Sequence, residues 1–198
     1  MARIVDFYFD YGSPTSYLAY TQLPGLAGRT GATIQYKPIL LGGVFQATGN
    51  RSPVEVAAKG QWMRADIEDF ARRYGVAFRW NPHFPINTLA LMRGAIHALR
   101  EGILVTYSDA IFKAIWADAE SMNDPAVIGK VLKTAGFDAP TIFAATQEQS
   151  VKDALKAATD EAVARGVFGA PTFFVGPRMH FGQDRLPYVE ELLRDVPG

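Results

Sequence analysis

The sequence predicts an α/β fold interrupted by a large all-helical insertion, and three observations predict it. The chain opens as strand, helix, strand; it closes as strand, turn, strand, helix; and the long block between, from Ser52 to Gly166, is alanine-rich and helical in its spacing. At 198 residues, 48% hydrophobic and 20% charged, the chain is large enough to bury a full core and is expected to be ordered throughout.

Ile4-Val5-Asp6-Phe7-Tyr8-Phe9 is short, β-branched and aromatic, and stops at Tyr11-Gly12, as a buried strand does. A helix follows at once, with Ser13 at the N-cap and Pro14 at the first helical position, where a missing N–H costs nothing. Pro24-Gly25 is expected to kink or restart this helix before Gly31 ends it. Thr33 to Pro38 reads as a second strand, which after a crossover helix lies parallel to the first. Helices are expected around Ala58–Tyr74, Thr88–Glu101, Ser108–Asp118, Asp124–Thr134 and Glu148–Arg165, with no strand among them. Pro171 to Val175 then forms a strand, Gly176-Pro177 a turn, Met179 to Phe181 a second short strand, and Asp184 to Asp195 the last helix.

Twenty basic side chains balance twenty acidic ones, so no polyanionic partner, nucleic acid or anionic membrane is expected. The N-terminus lacks a secretion signal and no apolar run is long enough for a membrane span, which makes a cytoplasmic location the default expectation. Cysteine is absent, so the chain has no disulfide, no thiolate metal site and no thiol nucleophile of its own. His83, His97 and His180 show no ligand spacing, and no metal site is expected. Gly12-Ser13-Pro14 lacks the spacing of an esterase nucleophile elbow. Trp62, Phe70 and Tyr74, at helical spacing, read as core or subunit contacts, and Arg72-Arg73 as solvated surface.

Three segments can carry chemistry. In Asp10-Tyr11-Gly12-Ser13-Pro14-Thr15-Ser16-Tyr17 a hydroxyl sits where a strand becomes a helix; it can be a plain cap, and the same helix end also offers N–H donors and partial positive charge to an anion. In Val167-Phe168-Gly169-Ala170-Pro171-Thr172-Phe173-Phe174 a proline opens a buried strand, a place where a trans bond is the common case and a cis bond would turn the backbone of Ala170 toward a ligand. In Phe181-Gly182-Gln183-Asp184-Arg185, Asp184 can be a solvated cap or can grip a ligand's ammonium group.

Taken together with Thr48-Gly49-Asn50 and Lys59, these segments resemble, in order and from Ile4 to about Leu193, the 2-hydroxychromene-2-carboxylate isomerase family, kin of the kappa-class glutathione transferases within the DsbA-like thioredoxin superfamily. The resemblance implies a discontinuous thioredoxin-like domain, 1–45 with 167–198, a helical insertion domain at 46–166, a homodimer, and glutathione as cofactor. It gives Ser13 the catalytic place against the glutathione sulfur, and gives cofactor contacts to Ser13, Asn50, Lys59, the backbone of Ala170, Gly182, Gln183 and Asp184. It also makes the Ala170–Pro171 bond cis. Arg51-Ser52-Pro53 departs from the Lys-Pro-Pro common among relatives. The implied reaction converts 2-hydroxychromene-2-carboxylate to trans-o-hydroxybenzylidenepyruvate in aromatic, naphthalene-type catabolism. Such a substrate is flat, aromatic and anionic, so Trp80 to Pro85, with His83 and Phe84, is expected to form one wall of its pocket. A kappa-like transferase acting on other electrophiles and a non-catalytic thioredoxin-fold binding module remain as alternatives.

Overall fold

A computed structural model describes residues 3–195; the outermost residues of the expected thioredoxin-like unit, 1–2 and 196–198, lie outside it. Its centre is a four-stranded sheet in the order β2-β1-β3-β4, from β1 (Ile4–Phe9), β2 (Thr33–Pro38), β3 (Thr172–Val175) and β4 (Arg178–Phe181). β1 runs parallel to β2 in the register Ile4 to Thr33, and antiparallel to β3, with Phe7 opposite Phe173. The chain thus leaves the sheet after β2 and returns through β3 to the other side of β1.

Alternation on β1 sorts its aromatic residues to two faces. Phe7 stacks on Phe9 and Phe173, with centroids 5.1 and 5.4 Å away, and joins the main core. Tyr8 points the other way, into a smaller cluster with Ile39, Val44, Ala162, Val167 and Phe174. Arg165 closes that second face, its guanidinium 4.0 Å from the Phe174 ring centroid and 2.7 Å from the Asp6 carboxylate.

Helices α1 (Pro14–Thr30), α2 (Leu41–Thr48), α3 (Ala57–Tyr74), α4 (Leu89–Arg100), α5 (Leu104–Trp116), α6 (Pro125–Thr134), α7 (Ala139–Gln147), α8 (Gln149–Ala164) and α9 (Leu186–Asp195) surround the sheet. No described helix is long and apolar enough to cross a membrane. The helix does not restart at Pro24-Gly25: α1 runs through Pro24 to a left-handed Gly31 with φ 67°. Buried Leu23 and Leu26 on either side hold the helix to the core, which outweighs the backbone bond that proline removes. The last helix begins later than expected, at Leu186, after a 3₁₀ turn from Gln183 to Arg185. α2 and α7 were not foreseen. Gly42 and Gly43 disguise the first, and Pro140 opens the second as a first-turn proline.

The main core is continuous from the sheet face into the insertion. Tyr11, Tyr17 and Tyr20 of the opening segment all pack on Phe112 of α5, at centroid distances of 4.8, 5.9 and 5.0 Å. Trp62 does not belong to this core: it is 67% exposed, while Phe70 and Tyr74 pack against the core from its edge.

Candidate functional site

The turn from β1 into α1 is tied down by a buried carboxylate. Asp10 Oδ1 accepts from the Gly12 N–H at 2.8 Å and the Thr88 hydroxyl at 2.7 Å, and Oδ2 accepts from the Leu41 N–H at 2.8 Å. Burial pushes the Asp10 carboxyl above its ordinary range, and the three donors pull it part of the way back. The insertion clamps the next residue: Trp116 Nε1 donates to the Tyr11 carbonyl at 2.8 Å, and the Tyr11 and Ser108 hydroxyls are 2.7 Å apart. Gly12 fits because a Cβ there would meet Thr88 Cγ2 at 3.2 Å.

Ser13 is buried and caps α1, its Oγ accepting from the Ser16 N–H at 3.1 Å. Its own proton goes to the Ala170 carbonyl at 2.9 Å. The Thr15 hydroxyl lies 3.0 Å from Ser13 Oγ and 3.4 Å from the same carbonyl. With that neighbour donating, Ser13 is saturated: two acceptor sites filled and one proton given. Pro14 has no N–H, and the Ser16 and Tyr17 amides are taken up by Ser13, so the first-turn amide left over by the cap is that of Thr15. No acidic residue stands in this first turn to oppose an anion.

Opposite the helix start, the Ala170–Pro171 bond is cis, as is Phe84–Pro85. Two other segments converge on the same loop. Asn50 Nδ2 donates to the Phe168 carbonyl at 2.8 Å, and the Gly182 N–H donates to the Pro171 carbonyl at 3.0 Å. Gly182 holds φ 101°, and a Cβ there would strike Asp184 Oδ1 at 2.5 Å, so glycine alone lets the carboxylate fold back over the turn. Tyr74 of α3 donates to the Gln183 carbonyl at 3.1 Å. Asp66, also on α3, has its carboxyl raised by burial and then by the charges of Asp184 and Asp69.

Ser13, Asn50, Ala170 and Gly182 are thus linked by hydrogen bonds around one loop, with Gln183 buried and Asp184 exposed beside it. Lys59 is exposed in the first turns of α3, and no hydrogen bond joins it to this cluster among the described residues. His83 is exposed, and its backbone N–H donates to Asn81 Oδ1 at 2.9 Å. Phe84 instead packs on Trp116 at 5.9 Å and lines a cavity of about 480 Å³ with Val54, Gly60, Gln61, Arg64 and Trp80. Sequence reasoning missed Thr15, Thr88 and Trp116, and named Asp10 only as a neighbour along the chain. The signal for Thr15 was present, as a second hydroxyl in the first turn of a capped helix.

The DSBA-like thioredoxin domain family matches residues 4–194 of this chain. A 2-hydroxychromene-2-carboxylate isomerase of Sphingobium xenophagum is 33% identical over 98% of this chain and 100% of its own length. A human glutathione S-transferase kappa 1 is 26% identical over 98% of this chain and 92% of its own. Among solved structures, a 2-hydroxychromene-2-carboxylate isomerase superposes with a TM-score of 0.86 at 30% identity, covering 95% of this chain and 93% of that one.

Proposed function

From a chain that belongs to the DSBA-like thioredoxin family, and within it to the 2-hydroxychromene-2-carboxylate isomerases, we propose a glutathione-dependent isomerase that converts 2-hydroxychromene-2-carboxylate to trans-o-hydroxybenzylidenepyruvate in aromatic catabolism. The observation that carries the glutathione dependence is the start of α1. It has the architecture that lowers a thiol pKa, with Ser13 at 2.9 Å from the carbonyl before a cis-proline, and the chain contains no cysteine to place there. A thiol brought by a ligand supplies what is missing.

The residues present fit glutathione. The Thr15 amide and the helix dipole would face a thiolate, Ala170 would offer main-chain groups to an extended peptide, and Asp184 a carboxylate to the γ-glutamyl ammonium. Asn50 and Lys59 would bind the cofactor from the insertion side. Bound glutathione supplies a thiolate that can add reversibly to a conjugated carbon, so that a double bond becomes rotatable until the sulfur departs.

The chain's part is to hold that sulfur as an anion. Ser13 can donate to it only by letting go of the Ala170 carbonyl, and Thr15, already within 3.4 Å, is placed to take that carbonyl over. Ser13→Ala is expected to retain glutathione, to raise the pKa of the bound thiol, and to lose most isomerisation; full activity of this variant at neutral pH would remove Ser13 from the mechanism. The primary test is a spectrophotometric isomerase assay with and without glutathione. Turnover without it overturns the cofactor assignment. The second reading, a kappa-like transferase, is favoured by the 26% identity to the human kappa enzyme over nearly the full chain. It predicts conjugation of an activated aryl chloride at a rate exceeding isomerisation.

A further inference from the structure

We infer that the cavity between α3 and the Trp80–Pro85 loop is a binding site for a planar aromatic carboxylate, with Arg64 taking the carboxylate and Trp80 and Phe84 holding the ring. Its lining is Val54, Ala57, Gly60, Gln61, Arg64, Trp80, Phe84 and Pro85, which is apolar and aromatic except for one amide and one cation. At about 480 Å³ it has the size of a small-molecule site. No carboxylate side chain lines it, and among the described residues Arg64 has no acidic partner.

The guanidinium carbon of Arg64 lies 4.7 Å from the Trp80 ring centroid. A guanidinium uses its face to rest on an indole and its edge to donate hydrogen bonds, so this contact positions the group without consuming its fork of N–H donors. One fork matches one carboxylate. A polyphosphate would need several cations, and a neutral aromatic ligand would leave the charge unanswered, so a monoanionic aromatic acid fits this lining best.

The cavity wall also reaches the helix start. Trp80 meets Trp116 edge-on at 6.2 Å, Phe84 meets it at 5.9 Å, and Trp116 donates to the carbonyl of Tyr11, two residues before Ser13. A ligand seated here therefore leans on the side chain that fixes the turn carrying Ser13. Gly60 leaves the floor open, since a Cβ there would stand 3.3 Å from Val54 Cα. The carboxylate-binding claim stands on the cavity alone; its identification as the subsite of the isomerase substrate rests on the function proposed above.

The test is calorimetric titration of the full chain, without glutathione, with 2-naphthoate and with the neutral 2-naphthamide, on the wild type, Arg64→Met and Arg64→Lys. Naphthoate is expected to bind the wild type, to bind Arg64→Met about 10- to 100-fold more weakly, as loss of a charge-assisted pair requires, and to recover in part with lysine. Naphthamide should bind weakly and indifferently to all three. In the isomerase assay Arg64→Met should raise KM for the carboxylate substrate about tenfold or more while kcat stays within about threefold and KM for glutathione is unchanged. Naphthoate that ignores the wild type, or binds Arg64→Met equally well, overturns the site. Naphthoate binding that depends on Arg64 in a chain that does not isomerise leaves the site standing and overturns the proposed function.

Discussion

Replacing Asp10 tests whether the geometry below Ser13 is set by one buried carboxylate. Asp10→Ala leaves the Gly12 N–H, Leu41 N–H and Thr88 hydroxyl without their acceptor in a site that is 1% exposed. At about 1–3 kcal/mol per buried unsatisfied group, less the relief of no longer burying a carboxyl, the expected loss is about 3–5 kcal/mol. Asp10→Asn is a finer probe. One amide oxygen can keep Gly12 and Thr88, but the NH₂ then faces the Leu41 N–H, donor against donor, at a cost of about 1–3 kcal/mol. Against this, asparagine carries no charge to desolvate. Because burial raises the folded-state carboxyl, the wild type binds more protons folded than unfolded between the ordinary aspartate range and that raised value. Wild-type stability therefore falls as pH rises through this window and levels off above it, a slope asparagine lacks. The deficit of Asp10→Asn should be largest in acid and narrow toward neutrality. Urea unfolding followed by tryptophan fluorescence from about pH 4 to about pH 8 measures it, with Trp116 beside the turn as a reporter. An alanine variant within about 1 kcal/mol of the wild type, or an asparagine deficit that widens with pH, refutes the reasoning.

Two further substitutions separate catalysis from packing. Thr15→Val keeps the shape of the first turn and removes the hydroxyl poised over Ala170; the pKa of bound glutathione, followed by thiolate absorbance, should rise by about one unit, and Thr15→Ser should restore it. Gly94→Ala, which by helix propensity alone should stabilise α4 by about 1 kcal/mol, should instead destabilise the protein by about 2–4 kcal/mol in thermal or urea unfolding. Its Cβ would stand 2.2 Å from the Tyr107 hydroxyl, which is fully buried and already donates to the Leu91 carbonyl at 3.1 Å.

What the sequence made legible were the features encoded locally. The β-branched run of β1, the Ser13-Pro14 start of α1 and the Gly31 that ends it each act within a few residues, and the structure places them where they were expected. That the helix carries on past Pro24 is not legible locally, because the cost of proline is local while the packing of Leu23 and Leu26 that overrides it is not. The same divide runs through the site. Ser13 could be singled out because capping has a sequence signature, whereas the 2.9 Å bond from Ser13 to Ala170 joins residues 157 apart and becomes visible only when β3 is laid beside β1. Asp10 and Thr88, separated by 78 positions, pair only in the fold, and nothing along the chain announces Trp116 as the donor to Tyr11.

These long-range bonds also give the helical insertion a role beyond enlarging the core. Among the described residues, the hydrogen bonds that fix the Asp10–Gly12 turn from outside the first strand and helix come from Leu41 or from the block 88–116, through Thr88, Met92, Ser108 and Trp116. A thioredoxin-like sheet that carries its own reactive cysteine has the sulfur covalently attached to the helix start; under the glutathione dependence proposed above, the helix start here has to be rigid enough to receive a sulfur that is not attached to it. A hydroxyl displaced by an ångström forfeits most of the selectivity of a hydrogen bond for the anion, because that bond weakens steeply with length and angle. The insertion holds the receiving turn at once through the Thr88 hydroxyl on the buried Asp10 carboxylate, the Ser108 hydroxyl on the Tyr11 hydroxyl and the Trp116 indole N–H on the Tyr11 carbonyl, and places the arginine-bearing cavity against the same indole. Loosening Trp116 should accordingly disturb the thiol and the aromatic carboxylate together, and a Trp116→Phe variant in which only one of the two affinities changed would separate what this arrangement joins.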